Sequence, residues 1–196
     1  MSKTLTPLVL ASQSPRRHEL LRSLMDHFEI IPSKAEEVVN NEKSPEENVC
    51  SLAEQKIRWV EEQNPGRFII AADTLVALEN EILGKPKDEA DACRILRLLS
   101  GNAHYVMTGI AAVGPGLDKF VQADVSTVKF KSLSDYQIKE YVAGGEPMDK
   151  AGAYAIQGEG AKLIEFQKGS FSNIVGFPLE IVKPILIRMG YLDNGL

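Results

Sequence analysis

The chain has 196 residues, 44% of them hydrophobic and 25% charged, so it is long enough to bury a substantial core in one domain or in two small lobes. A net charge of −5 argues against non-specific nucleic-acid binding and confines any polyanion site to a local basic pocket, where a metal is expected as well. Two cysteines do not make a disulfide framework, and no apolar run is long enough for a membrane span. The polar residues 1–7 lack a signal-peptide core. We therefore expect a cytoplasmic protein with no membrane or nucleic-acid partner.

The first predicted elements are a buried strand at residues 9–11 and a helix that begins at Ser14 and Pro15. Arg16 and Arg17 then lie in the first helical turn, where cations oppose the helix dipole unless an anion binds there. Free N–H groups at a helix start, together with two guanidinium groups, suit a phosphate. The alternative is a capped helix whose arginines are solvated.

Helix and strand signals alternate in the next part of the chain. Residues 28–31 predict a second short strand, and a polar loop over residues 32–43 follows it. Ser44, the proline after it and a glutamate three residues on predict the start of a helix that carries Lys56. The continuous apolar run at residues 68–72 then predicts a central strand, buried on both faces, with Asp73 and Thr74 at its end. Residues 75–78 extend this strand or start another.

The second half of the chain predicts a long antiparallel hairpin with helices on either side of it. The hairpin joins residues 105–113 to residues 120–130, with Val125 facing inward. The other predicted elements are a helix from Asp88 to Gly101, a helix capped by Ser134 and Gln137, a polar loop at residues 170–173, a strand at residues 163–166 and a helix from Pro178 to Met189. We therefore expect an α/β fold, a mixed sheet with flanking helices, in which the N-terminal units form one lobe and the hairpin region the other.

Several polar residues at the ends of these elements are candidates for a site. Asp73 follows a buried strand, and α/β sheets bind ligands outside strand carboxyl ends, so it could hold a divalent metal or orient a water as general base. Lys85, in a sharp Gly-Lys-Pro turn, could reach a phosphate. Glu36 and Glu37 could add a second metal ligand. For each of these, and for Lys56, a solvated or capping side chain is the alternative.

A glycine-rich segment at residues 149–158 allows the backbone to approach a ligand closely. Within it Gln157 offers amide donors and an acceptor, which suit the edge of a pyrimidine base. The alternative is a turn that needs only its glycines. Cations for phosphates, carboxylates for a metal and an amide for a base together indicate a nucleotide polyphosphate as ligand.

Short motifs that share one order along the chain carry a more specific signal. These motifs are residues 11–17, 72–74, 84–86, 99–101 followed by His104, 108–109, 149–152 and 156–158. In this order they resemble the Maf family of nucleoside triphosphate pyrophosphatases, over about residues 8–190. The resemblance implies a single Maf-like domain over residues 1–196, with a mixed, twisted, ITPase-like α/β sheet, two lobes around a central cleft, and often a homodimer.

The resemblance also implies an activity: hydrolysis between the α and β phosphates of a nucleoside triphosphate, with Mg²⁺ or Mn²⁺ as cofactor. Asp73 would be the proton acceptor that activates water, directly or through the metal, and Glu37 would help to bind the ion, with Glu36 as the adjacent alternative. The positions that would contact the substrate, or select among substrates, are Ser12, Arg16, Arg17, Lys56, Thr74, Lys85 and Gln157.

The 149–154 and 156–158 patterns are similar to the branch of the family that acts on dTTP and UTP, modified pyrimidine nucleotides included. Phe177 departs from the leucine that is more frequent at its position, which affects local packing. Two alternatives stay open: a 7-methyl-GTP pyrophosphatase, and a nucleotide-sensing regulatory protein linked to septum formation in dividing cells. Asp73 with its lysines argues against binding alone, because an activated water destroys the ligand.

Overall fold

The computed structural model describes residues 6–193, so residues 1–5 of the predicted polar start lie outside the described part. Seven strands and six α-helices occur within these residues. The strands are β1 (Leu8–Leu10), β2 (Phe28–Ile30), β3 (Ile69–Leu78), β4 (Glu81–Leu83), β5 (Ala103–Gly114), β6 (Leu117–Phe130) and β7 (Ile164–Lys168). The helices are α1 (Pro15–Arg22), α2 (Pro45–Gln63), α3 (Glu89–Leu99), α4 (Asp135–Ala143), α5 (Phe171–Val175) and α6 (Leu179–Met189), and three short 3-10 helices lie between α4 and β7.

All seven strands form one mixed sheet in the order β2-β1-β3-β5-β6-β7, with β4 paired to the end of β3. β1 runs parallel to β2 and β3, whereas the later pairs are antiparallel. β1 pairs with β3 as far as Ile70, and β4 pairs with it from Val76 onward. Residues 71–75 of β3 lie between the end of β1 and the start of the β4 pairing, and in the sheet as described they pair with β5 alone. This leaves a gap along the edge of β3 that faces away from β5. The expected mixed α/β sheet is confirmed.

The core divides along the length of β3. At its start, Ile69 and Ala71 pack under α2, while Ile70 and Ala72 pack on the other face with α6. At its far end, Val76 belongs to a separate cluster with α3 and α4. β5 contributes side chains to clusters at both ends of β3: Val106 packs with α3 and α4, and Ile110 and Ala112 pack with α6.

Most helix boundaries follow the predicted signals. Ser44 and Ser134 each form a capping box, and the Asp88 carboxylate accepts a hydrogen bond from the Asp91 backbone N–H. Ser14 precedes α1 as expected, but within the described residues its hydroxyl makes no capping bond.

Of the two alternatives for residues 75–78, extension of the strand is correct: β3 continues through Asp73 to Leu78, because the antiparallel pairing with β5 runs through Asp73, which faces Gly109. Two expectations were wrong. Val125 does not face inward: it is 38% exposed, on a part of the sheet beyond the cover of α2. Finally, α5 occupies part of the segment expected as a polar loop, since a helix this short shows little periodicity. No helix in residues 6–193 is both long and apolar enough to cross a membrane.

Candidate active site

A cavity of about 860 Å³ opens at the gap in the edge of β3. The β1–α1 loop and the first turn of α1 form one side of it, and residues 149–156 form another. The middle of β3 and one face of α2 lie at its base, and the turn after β4 completes it. This volume suits a ligand of nucleotide size, because small-molecule sites typically enclose about 300–1,000 Å³.

The structure brings almost all of the predicted site residues to this cavity. The predicted carboxylates Asp73 and Glu37 line it. The predicted cations and hydroxyls that line it are Ser12, Arg16, Arg17, Lys56, Thr74 and Lys85. Gln157 differs: its side chain is exposed, and the cavity lining ends at its neighbour Ile156. Glu36 is exposed and also lies outside the lining.

Lys56 joins the two predicted carboxylates. Its Nζ lies 2.5 Å from Asp73 Oδ1 and 2.9 Å from Glu37 Oε1. α2 positions this lysine, because Ala53 and Ile57 beside it are buried against the start of β3. The Lys56 and Asp73 side chains are only 12% and 10% exposed, so each charge depends on the other for compensation. Since both carboxylates contact one ammonium group, Asp73 and Glu37 converge.

Arg17 lines the cavity and bonds to three parts of the chain. Its Nη1 donates to Ala72 O at 2.7 Å and to Ser12 Oγ at 3.3 Å, and its Nε donates to Gly176 O at 2.8 Å. Its Nη2 donates to Thr74 Oγ1 at 3.0 Å. Burial lowers the pKa of Arg17, against the opposing effect of the nearby carboxylates, although a guanidinium stays charged. These bonds use four of its five N–H groups, which leaves one for a phosphate.

The Thr74 hydroxyl belongs to a chain of buried hydrogen bonds. Thr108 Oγ1 donates to Asn173 O at 2.9 Å, and it lies 3.0 Å from Thr74 Oγ1. Because the Thr108 proton is used in this way, Thr74 donates to Thr108 while it accepts from Arg17. Asn173 is itself fixed in the core, where its Nδ2 donates to Val106 O and to Ser126 Oγ. The polar side of Thr74 is therefore oriented by the core before any ligand arrives.

Comparison with known proteins decides the family. The family model described as "Maf-like protein" matches residues 7–189. The chain belongs to the Maf family. A dTTP/UTP pyrophosphatase of Geotalea uraniireducens (strain Rf4) is 45% identical over 194 residues, which cover 98% of this chain and 100% of that protein. A dTTP/UTP pyrophosphatase of Dictyoglomus thermophilum is 46% identical over 186 residues, covering 94% of this chain and 96% of that one.

The fold of this Maf protein is also similar to that of a solved structure. The Ham1 protein of Staphylococcus aureus matches with a TM-score of 0.50 at 17% sequence identity, over 81% of this chain and 80% of that one. At this level of identity the match shows a shared fold and no more.

Lys150 is a cavity residue that the sequence argument did not assign to the site of this Maf protein. It pairs with Asp149, and the hydrogen bond and charge of Lys150 lower the pKa of Asp149 against the opposing effect of burial. Its signal in the sequence was its place in the 149–152 motif. With Lys150 included, five cationic side chains and three carboxylates line the cavity, a local positive excess in a protein of net charge −5.

The turn that carries Lys85 is held by the glycine-rich segment. Gly152 N donates to Gly84 O at 3.1 Å. Gly152 has φ +69°, and a Cβ there would lie 2.9 Å from Val76 Cγ1, so only glycine fits between this turn and β3. Lys85 itself is exposed at the rim of the cavity, where an anion could contact it.

The donor set of this Maf protein fits a hard divalent cation. Asp73 and Glu37 are two convergent carboxylates, and Mg²⁺ commonly binds one or two carboxylates together with waters and substrate phosphates. In the part of the chain that the structure describes, no group of three or more His, Cys, Asp or Glu side chains forms a metal site. An ion held by Asp73 and Glu37 would need further oxygen ligands besides these two carboxylates.

Proposed function

We propose that this Maf protein hydrolyses dTTP and UTP to the nucleoside monophosphate and pyrophosphate. The observation that carries the proposal is the Lys56 ammonium placed between Asp73 and Glu37, in a cavity whose lining is net cationic within an acidic protein. Such a cavity selects a polyanion and holds a carboxylate next to it. The names of its curated relatives support the choice of dTTP and UTP.

The nucleophile in this proposal is a water molecule that Asp73 orients. Lys56 occupies Asp73 Oδ1, so Oδ2 accepts the water proton as the new P–O bond forms at the α-phosphorus. The bond from the α-phosphorus to its bridging oxygen then breaks, and pyrophosphate leaves with that oxygen. Because Asp73 lies inside β3 and not on a loop, its position is held by the sheet on one side and by Lys56 on the other.

The cations would hold the triphosphate and offset the charge that moves onto pyrophosphate. Arg16, Lys85 and Lys150 lie on different walls of the cavity, so they surround a polyphosphate chain. Ser12 adds a hydroxyl beside the start of α1, where free N–H groups also favour an anion. A divalent ion on Asp73 and Glu37 would supply Lewis-acid stabilisation of the phosphate oxygens.

Base selection is proposed to rest on Arg16, Thr74 and Gln157. Gln157 is exposed next to the cavity lining, where its amide can meet the edge of a base. The proposal places the enzyme in the cytoplasm, a reducing compartment, and Cys50 and Cys93 are both free thiols. A homodimer stays a prediction.

The test is pyrophosphate release from dTTP, UTP, CTP, GTP and 7-methyl-GTP, each with Mg²⁺, with Mn²⁺ and with a chelator. Metal-dependent release that favours dTTP and UTP is the expected result. Pyrophosphate release mainly from 7-methyl-GTP would show that the protein has another substrate, and it would contradict the proposed role of Gln157. Tight binding of a nucleotide without release of pyrophosphate would show that the protein is a nucleotide sensor and not a hydrolase.

A further inference from the structure

Gln157 lies in a turn, residues 155–160, that is anchored on both sides by two side chains outside the cavity. Tyr141, on α4, accepts a 3.3 Å hydrogen bond at its Oη from the Ala155 backbone N–H, on the near side of Gln157. Glu146 accepts hydrogen bonds from the backbone N–H groups of Glu159 and Gly160, at 3.1 and 3.0 Å, on the far side.

The two anchoring side chains are joined to each other. Tyr141 Oη donates to Glu146 Oε1 at 2.8 Å, so the phenol and the carboxylate form one unit beneath the turn. Burial and this hydrogen bond raise the pKa of Tyr141, so at neutral pH it keeps the proton that it donates. Burial acts to raise the pKa of Glu146. The hydrogen bonds from Tyr141 and from the backbone N–H groups outweigh burial and lower the pKa, so Glu146 binds the turn as a carboxylate.

The turn is wrapped so closely around this pair that side chains are excluded. Gly158 has φ +78°, and a Cβ there would lie 2.6 Å from Glu146 Oε2. A Cβ on Gly160 would lie 2.2 Å from Ala155 O and 2.8 Å from Tyr141 Oη. Real Cβ atoms do not approach this closely, so the glycines on the far side of Gln157 are needed for the Tyr141–Glu146 pair to reach the backbone.

We propose that Tyr141 and Glu146 are positioning residues for base recognition, which fix the backbone on either side of Gln157 and so aim its amide at the base. This inference rests on the proposed function, in which Gln157 reads the base. The Gln157 side chain is exposed, and the anchored backbone fixes the point from which it extends, and so whether its amide can reach a base in the cavity. Neither Tyr141 nor Glu146 lines the cavity, so their effect on a substrate passes through the turn.

A purely structural role for the pair predicts a different result from a positioning role. Loss of a structural contact lowers the free energy of unfolding and acts on all substrates alike. Loss of positioning acts on the difference between substrates, because a misplaced amide no longer favours the correct base. The ratio of kcat/KM for UTP to kcat/KM for GTP therefore separates the two roles.

The experiment measures this ratio, by pyrophosphate release, for Tyr141→Phe, Glu146→Gln and Gln157→Ala, with Glu159→Gln as the matched control. Glu159 is an exposed glutamate in the same turn whose carboxylate pairs with Lys162, so its substitution leaves the anchors intact. We expect the UTP/GTP ratio to fall about tenfold in all three variants, through a raised KM for UTP with little change in kcat, and to stay unchanged in Glu159→Gln. A cooperative thermal unfolding transition, measured for each variant, is the check that the variant is folded.

Double variants test whether the anchors act through Gln157. When Gln157→Ala is combined with Tyr141→Phe or Glu146→Gln, the ratio should fall no further than in Gln157→Ala alone, because the amide to be positioned is already gone. An additive fall, or an unchanged ratio in folded Tyr141→Phe and Glu146→Gln, would overturn the inference. If Gln157→Ala leaves the ratio unchanged while the wild type still releases pyrophosphate from UTP, the positioning inference is rejected and the hydrolase proposal stands.

Discussion

The backbone carbonyl of Ala72 accepts a 2.7 Å hydrogen bond from Arg17, so a buried guanidinium holds the residue that precedes Asp73. Along β3, Asp73 and Thr74 point to opposite faces, since side chains alternate in a strand. Lys56 contacts the first and Arg17 the second. The stretch of β3 that lacks a neighbouring strand on one edge is therefore fixed by two cations, one from each face of the sheet.

Arg17→Lys tests this support. Lysine cannot make the forked bonds to Ala72 O, Gly176 O and Thr74, so several buried acceptors lose their partner. We expect the free energy of unfolding to fall by about 3 kcal/mol and kcat to fall at least about tenfold as β3 shifts near Asp73. Urea unfolding and steady-state pyrophosphate release measure the two effects. Arg22→Lys, at an exposed position of the same helix, should change neither. If kcat is unchanged in a destabilised Arg17→Lys protein, Arg17 stabilises the fold without positioning Asp73.

Asp73→Asn should abolish turnover and leave the fold intact. Asparagine keeps the shape of the side chain and an oxygen for Lys56, whose charge Glu37 still compensates, but it cannot take a proton from water. We expect the rate of pyrophosphate release from UTP to fall by at least about 100-fold, with a circular dichroism spectrum like that of the wild type. Asp118→Asn, at an exposed position of β6, is the control and should retain full activity. Near-normal activity in Asp73→Asn would show that another group activates the water.

Glu37→Gln and Glu36→Gln form a matched pair, because the two residues are adjacent and both exposed, while only Glu37 contacts Lys56. If Glu37 is a metal ligand, its loss should raise the Mg²⁺ concentration for half-maximal activity by about tenfold or more. Glu36→Gln should match the wild type. Calorimetric titration with Mn²⁺ gives the same comparison without turnover. Equal metal affinity in both variants would leave Asp73 as the sole carboxylate ligand from the predicted pair.

The sequence predicted the helices and strands more successfully than it predicted the side-chain contacts between them. Capping boxes are local signals, and those at Ser44 and Ser134 were read correctly because every bond in them spans three residues. The Lys56–Asp73 contact joins residues 17 positions apart on a helix and a strand, so no periodicity reveals it. The place of Asp73 after a buried strand and the family resemblance of Lys56 each indicated a site residue, and the structure showed that the two are in contact.

The contacts of Arg16 and Arg17 were also beyond what the sequence could predict. As adjacent arginines in one helical turn they were assigned the same role from the sequence. The helix turns them about 100° apart. Both line the cavity, but Arg17 also bonds to Gly176, 159 positions away. Their difference depends on where β3 and α5 lie, which is a property of the whole fold.

His104 gives a prediction about pH. Its ring is fully buried, packs edge-on against Phe130 and Tyr154, and has Nε2 2.8 Å from Tyr154 Oη. Burial lowers the pKa of His104 to about 4, against a slight opposing effect of the Asn102 backbone, whereas in the unfolded chain it is about 6.5. Between these two values the unfolded chain binds a proton that the folded protein does not. The stability that His104 contributes is thus complete above pH 6.5 and is lost as the pH falls toward 4.

The wild type should lose about 2 kcal/mol of unfolding free energy between pH 7 and pH 5 from His104 alone. His104→Gln removes the titrating group, so its urea-unfolding free energies at the two pH values should differ by about 2 kcal/mol less than those of the wild type. His27→Gln, at an exposed position, should keep the wild-type loss. The comparison uses the change with pH and not the stability at one pH, because His104→Gln also alters packing beside Tyr154. An equal loss in His104→Gln and the wild type would mean that the buried imidazole is already protonated in the folded protein, or that other groups control the acid sensitivity.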